Sequence, residues 1–230
     1  MELTAVAEWL NTTFAGFDYS ILEFYHNIAL SANFIVEPIM DFFSIIGDNG
    51  YFSFLLAFVL MLFKKTRKAG VCVLFSIGFG ALITNITLKE LIARPRPFQS
   101  GVTEFYEWWC YSGASEVSEF SFPSGHVTAA MASMTGLCLS VKGKWRWLIA
   151  PASVYVVIMM AARNYLMVHY PTDVIAGVIV GAVGAVAAFF TVKGIFALVT
   201  KYSDKKFFAF VLNFDIKDLF VKKRSEMKGE

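Results

Sequence analysis

AGVCVLFSIGFGALITNITL, residues 69–88, runs for twenty residues without a charge. As a helix it is about 30 Å long, the thickness of a bilayer's hydrocarbon core. Its flanks are basic: Lys64, Lys65, Arg67 and Lys68 stand before it, and Lys89, Arg94 and Arg96 after it. Windows 126–141, 145–162 and 174–192 have the same character. A fifth, 51–63, has thirteen clean residues and is expected to borrow length from Ile45 onward and from the stems of Lys64 and Lys65. The composition agrees, with 57% hydrophobic and only 17% charged residues, where soluble domains carry about 25% charge. The expected fold is all-α, a polytopic helical membrane protein with five transmembrane helices. Residues 17–43 are apolar but broken by Asp18, Glu23, His26, Glu37 and Asp41. They suit amphipathic helices lying in the interface within an N-terminal region 1–50, and make a sixth crossing only if those polar groups face the bundle.

Charge placement orients the chain. Residues 1–63 hold no Lys or Arg, and the basic clusters at 64–68, 142–146 and 201–206 fall on alternate turns of a five-span chain. By the positive-inside rule those turns are cytoplasmic. The loop 98–122 has four glutamates and no basic residue, so it belongs outside. The N-terminus is therefore outside and the C-terminus inside, in a multi-pass cell-membrane protein. The N-terminal sequence lacks the basic region of a cleavable signal peptide. Cys72, Cys110 and Cys138 have neither disulfide-framework nor zinc spacing. The organisation reads as an N-terminal region 1–50, a membrane domain 51–200 and a basic, aromatic tail 201–230 on the inner leaflet.

Lys89, Arg94, Arg96 and Arg163 break the charge rule, because all four sit at span ends assigned to the outside. One such residue is an ordinary headgroup anchor. Four at one level, beside two histidines, suggest a converging anion site. Three stretches meet there: LKELIARPRP (88–97), FPSGH (122–126) and RNYLMVHYPTD (163–173). Guanidinium and ammonium groups neutralise phosphate. Pro-Ser-Gly ahead of a helix offers a hydroxyl and backbone amides at a positive dipole end. His169 and Asp173, four residues apart, can meet so that the carboxylate fixes the imidazole tautomer. His126, at the helix start beside that cradle, is a candidate proton donor to a leaving oxygen.

The ordered set Lys89, Arg96 and Pro97; Pro123, Ser124, Gly125 and His126; Arg163, His169 and Asp173 resembles the type 2 phosphatidic acid phosphatase (PAP2) superfamily over roughly residues 51–200. The resemblance implies a phosphatase that works through a phosphohistidine and needs no metal or other cofactor. It makes His169 the nucleophile, Asp173 its orienting partner and His126 the general acid. Lys89, Arg96, Ser124, Gly125 and Arg163 become the phosphate ligands. The chain departs from the family at Ala162, where Ser usually precedes the arginine. Arg94 is a charge beyond the motif, with its role open.

Around this set, the aromatics of 98–122 (Phe105, Tyr106, Trp108, Trp109, Tyr111 and Phe120) suit an interfacial belt, or else a lid. Gly177, Gly181 and Gly184 allow close helix packing, within the bundle or between subunits. His26 reads as an interfacial residue without a catalytic role. The expected partner is a membrane lipid phosphate or pyrophosphate, not a nucleic acid, with undecaprenyl pyrophosphate first. Phosphatidylglycerophosphate or phosphatidic acid follows, then a lipid phosphotransferase. A transporter fits less well, since the charges gather at one end and leave the middle of the spans bare.

Overall fold

The computed structural model describes residues 3–218, which form helices joined by short turns. Two N-terminal helices, α1 (Ala5–Thr13) and α2 (Ala15–Gly47), precede α3 (Tyr51–Leu62) and α4 (Arg67–Ala81). The last of these continues through a π-helical stretch, Leu82–Leu88, into the short α5 (Lys89–Ile92). Helix α6 (Thr103–Ser112) lies in the loop that leads to α7 (Gly125–Ser140). There follow α8 (Ile149–Tyr165), α9 (Pro171–Lys201) and α10 (Lys206–Asn213).

Helix α7 is the centre of the bundle, with eight of its 16 residues buried. Val127, Ala130 and Met134 pack with Ala152, Val156 and Met159 of α8 and Val174 of α9. Leu137 joins Ala57 of α3 and Val73 and Ile77 of α4 in a second cluster. Where α9 crosses α7 the backbones nearly touch. A Cβ on Gly177 would lie 2.9 Å from the Ser124 carbonyl, and one on Gly181 2.7 Å from that of Thr128. The glycine pattern thus serves packing inside the bundle, and the first of these contacts lies at the mouth of the PSGH turn.

Each of the five expected windows is helical, and one expectation about length is corrected. Four segments among the described residues are long and apolar enough to cross a membrane by length and composition: Ala15–Leu62, Arg67–Gln99, Gly143–Tyr165 and Pro171–Lys201. Helix α7, at 16 residues, is about 24 Å long. Helix α3 borrows nothing from Ile45, which corrects that expectation. Asn49 and Gly50 take left-handed conformations (φ 47° and 71°) that end α2 and restart the helix at Tyr51.

Helix α2 bends at Ala32 (φ −142°, ψ 21°), ahead of Pro38, which lacks an N–H and crowds the preceding turn. Its length touches the end of the bundle that carries the motifs. Leu22 packs on Phe105, Trp108 and Tyr170, and Ala29 on Tyr165, Leu166 and Val168. Phe105 and Trp108 are accordingly buried beneath α2, which corrects a simple belt for those two, whereas Tyr106 and Tyr111 stay exposed. His26 stacks on Trp108 with centroids 5.0 Å apart. At the opposite end Arg67 donates to the carbonyls of Val211 (2.7 Å) and Phe214, docking α10. The rest of the expected tail, with Leu219, Phe220 and the basic residues after them, lies outside the described residues.

Candidate active site

Two left-handed residues turn the chain at the site. Ala93 (φ 50°) ends α5, its amide bonded to the Lys89 carbonyl at 2.9 Å. Lys89 is thereby left on the helix, and the extended stretch after it sends Arg94 and Arg96 to different neighbours. Met167 (φ 57°) ends α8 and folds the chain back toward α9. Asn164 Nδ2 holds the carbonyl of His169 at 3.1 Å and fixes that return.

His169 is 1% exposed. Its Nδ1 lies 3.6 Å from Asp173 Oδ2 and 3.4 Å from Ser121 Oγ. Arg96 Nη1 faces its Nε2 at 3.3 Å while donating to the Val168 carbonyl at 2.7 Å. A guanidinium is only a donor, so Nε2 is the lone-pair nitrogen and Nδ1 carries the hydrogen. Burial, followed by the charges of Arg96, Arg163 and Lys89, holds the imidazole well below its ordinary 6.5. His169 is therefore held neutral at pH 7, with the Nε2 lone pair toward Arg96.

Asp173 sits at the third position of α9 and its carboxylate has three donors. Tyr170 N (2.9 Å) and Ser121 Oγ (2.5 Å) reach Oδ2, and Arg94 Nη1 (2.6 Å) reaches Oδ1. Arg94 donates in addition to Asn11 Oδ1 (2.8 Å), Thr172 Oγ1 (2.7 Å) and Asp18 Oδ2 (2.8 Å). It lies 3.8 Å over the Tyr170 ring, whose hydroxyl burial pushes up to about 12. Breaking one partner of a buried pair such as this costs about 3–5 kcal/mol.

A cavity of about 240 Å³ opens on the other side of His169, and its walls include Lys89, Arg96, Gly125, His126, Arg163 and Glu119. Phe54, Ile77 and Ala81 line it toward the apolar bundle. Ser124 caps α7, whose first-turn amides have no acceptor within the helix. The Ser124 hydroxyl and Arg163 Nε are buried without a partner among the described residues. Arg163 Nη1 is held by Ser44 Oγ at 2.6 Å. Lys89 pairs with Glu119, an exposed loop carboxylate; that hydrogen bond, then the charge behind it, keeps Glu119 below its ordinary value. His126 Nε2 stands 3.6 Å from Asp48 Oδ1. A wall of cations with unused donors, a neutral imidazole and a second histidine can bind a phosphoryl group and move a proton.

Every site residue inferred from sequence lines this pocket or supports it: Lys89, Arg96, Gly125, His126, Arg163 and His169 on the wall, Ser124 at its helix cap, Asp173 behind His169. Sequence reasoning passed over Asp18, Asn11, Ser121 and Asn164. It also passed over the π-helical turn that brings Thr84 and Asn85 into the cavity, a device frequent at functional sites. The polar intrusion Thr84, Asn85, Thr87 in an otherwise apolar span was the available signal.

Comparison with known proteins follows the same outline. The family model described as the PAP2 superfamily matches residues 69–196. The chain is 29% identical over 124 residues to an undecaprenyl-diphosphatase of Sulfolobus acidocaldarius, covering 54% of this chain and 55% of that one. It is 31% identical over 177 residues to phosphatidylglycerophosphatase B of Bacillus subtilis, covering 68% and 74%. Its fold resembles the crystal structure of a transmembrane PAP2-type phosphatidylglycerolphosphate phosphatase from Bacillus subtilis, with TM-score 0.61, 23% identity and coverage of 88% and 93%. The chain spans 55% and 74% of the length of these two curated relatives, and as little as 43% of another.

Proposed function

The chain belongs to the PAP2 superfamily, and on that premise we propose that it is an integral membrane phosphatase acting on a lipid phosphate or pyrophosphate through a phosphohistidine at His169. The observation that carries this reading is the orientation of His169, with Nδ1 toward Asp173 and Nε2 toward a cavity walled by Lys89, Arg96 and Arg163. The Nε2 lone pair attacks phosphorus and the bond to the leaving oxygen breaks as His126 gives that oxygen a proton. Water then attacks the phosphohistidine, His126 takes its proton, and inorganic phosphate leaves. The three cations balance the phosphoryl charge, so the mechanism calls for no divalent metal.

Undecaprenyl pyrophosphate is the first substrate in this reading, supported by the name of the Sulfolobus relative. The apolar wall of Phe54, Ile77 and Ala81 gives its tail a path. Phosphatidylglycerophosphate is the second, supported by the longer match to the Bacillus enzyme. A phosphotransferase would share the first half-reaction and replace water with another lipid. The test is phosphate release by the purified protein in detergent from a panel of lipid phosphates and pyrophosphates, in EDTA. Release from at least one lipid in EDTA is expected; activity that appears only with added magnesium would overturn the metal-free mechanism.

The same reading puts residues 1–50 in the outer interface and the pocket outside. Cys110, exposed on α6, should then react with a membrane-impermeant maleimide added to intact cells. A cysteine placed at Lys144 should not; the opposite pattern would invert the topology.

A further inference from the structure

We propose that Asp18, on the N-terminal helix α2, is a positioning residue for the nucleophile, acting through Arg94 and the first turn of α9 on the Asp173–His169 pair. The proposal rests on the phosphohistidine reading above.

Asp18 is 2% exposed and has three donors. Thr172 N (2.9 Å) reaches Oδ1, while Thr172 Oγ1 (2.8 Å) and Arg94 Nη2 (2.8 Å) reach Oδ2. It thereby caps α9 from another helix, one residue before Asp173. Arg94, 1% exposed, is held between the two carboxylates, with Asn11 of α1 on its Nε. A buried ion pair of this kind is weak evidence for stability, because apolar side chains often do as well. What the network does fix is direction. Arg94 occupies Asp173 Oδ1, which leaves Oδ2 to Ser121, the Tyr170 amide and His169 Nδ1.

Neither Asp18 nor Arg94 lines the phosphate cavity; both border a separate one, of about 240 Å³. Loss of Asp18 therefore removes no ligand from the substrate. It frees one edge of the Arg94 fork and uncaps the α9 turn that carries Asp173. The fraction of His169 with a free Nε2 lone pair falls, and the chemical step slows without weaker binding. Asp18, Asn11 and the helices that bear them precede residue 69, where the match to the family begins. The N-terminal helices are on this account part of the catalytic apparatus.

The experiment uses the full-length protein in detergent with p-nitrophenyl phosphate. It measures the rate of phosphoenzyme formation in a single turnover, the KM and the melting temperature. Asp18→Asn should slow phosphoenzyme formation about tenfold with KM changed less than about twofold. Arg94→Lys keeps the charge and loses the fork, so it should give the same signature; it carries the test should Asp18→Asn fail to fold. The double variant should be no slower than the slower single one, because both break one network. A wild-type rate in the single variants, a KM that rises as far as the rate falls, or effects that multiply to about 100-fold would each overturn the proposal. Wild-type protein that releases phosphate without an acid-labile phosphoenzyme would instead overturn the phosphohistidine reading.

Discussion

The two sides of His169 are built on opposite principles. Behind it, Asp173, Arg94, Asp18, Thr172 and Ser121 pair with one another at 2.5–2.9 Å, and Asp173 and Ser121 are 0% exposed. In front of it, the Ser124 hydroxyl and Arg163 Nε have no partner among the described residues, and Lys89 pairs with Glu119, an exposed loop carboxylate. A saturated network has one low-energy arrangement and holds a side chain still. An unsaturated one stores binding capacity, since a buried donor without a partner costs about 1–3 kcal/mol until something accepts from it. Orientation and affinity are thus assigned to different residues.

The largest effects should fall on the residue between the two sides. His169→Ala removes the proposed nucleophile and should lower turnover by at least about 10⁴-fold with no phosphoenzyme trapped. His126→Ala removes the proposed proton donor, typically about 10²–10⁴-fold, but leaves His169 and its brace in place. An aryl phosphate, whose leaving group needs little help, should recover much of the loss in His126→Ala and none in His169→Ala. Equal responses to leaving-group acidity in steady-state assays would break the division of roles.

Substitutions in front of His169 should separate binding from stability. Arg163→Ala removes a charged donor and should lower kcat/KM about 10–100-fold, with a matching loss of inhibition by orthovanadate. Ser124→Ala should be milder, about 2–10-fold in kcat/KM. Because its hydroxyl is buried and unpaired, the alanine variant should melt no lower than wild type, and as much as a few degrees higher. A clear fall in the melting temperature of Ser124→Ala would mean that the front of the site is as structurally committed as the back.

The same division explains what the sequence disclosed. The front was legible, because Lys89, Arg96, Ser124, Gly125, His126 and Arg163 sit in short motifs at span ends, and alternating helix direction carries those ends to one face. The spans were legible from uncharged runs such as 69–88. The brace was not. Asp18 is 155 residues from Asp173, and in the sequence it is one acidic interruption among several in an interfacial stretch. Nothing local tells it apart from Glu23 or Asp41, since its significance comes from the bend of α2 over the bundle. Arg94 stood out as an unexplained charge for the same reason, its partners lying on α1, α2 and α9. The turn at Asn49 and Gly50 was also missed, although Asp48-Asn49-Gly50 interrupts the apolar run with an Asn-Gly turn signal.

The smallest effect concerns the proton on His169, which the two sides contest. Asp173 behind it favours the imidazolium; burial and the charges of Arg96, Arg163 and Lys89 in front oppose it and prevail, so the folded pKa is well below 6.5. Below pH 6.5 the unfolded chain takes up a proton at this position that the folded chain refuses. Stability linked to His169 is therefore fully present above that pH and is lost as pH falls toward the folded value. From pH 7.5 to 5.5 the loss is on the order of 1 kcal/mol, a few degrees in melting temperature for a chain of this size. His169→Asn cannot take up the proton, so its melting temperature should fall less over the same interval by that amount. If wild type and His169→Asn lose stability in parallel between pH 7.5 and 5.5, the imidazole is not held neutral by the front of the site. The carboxylate behind it would then be the stronger of the two influences.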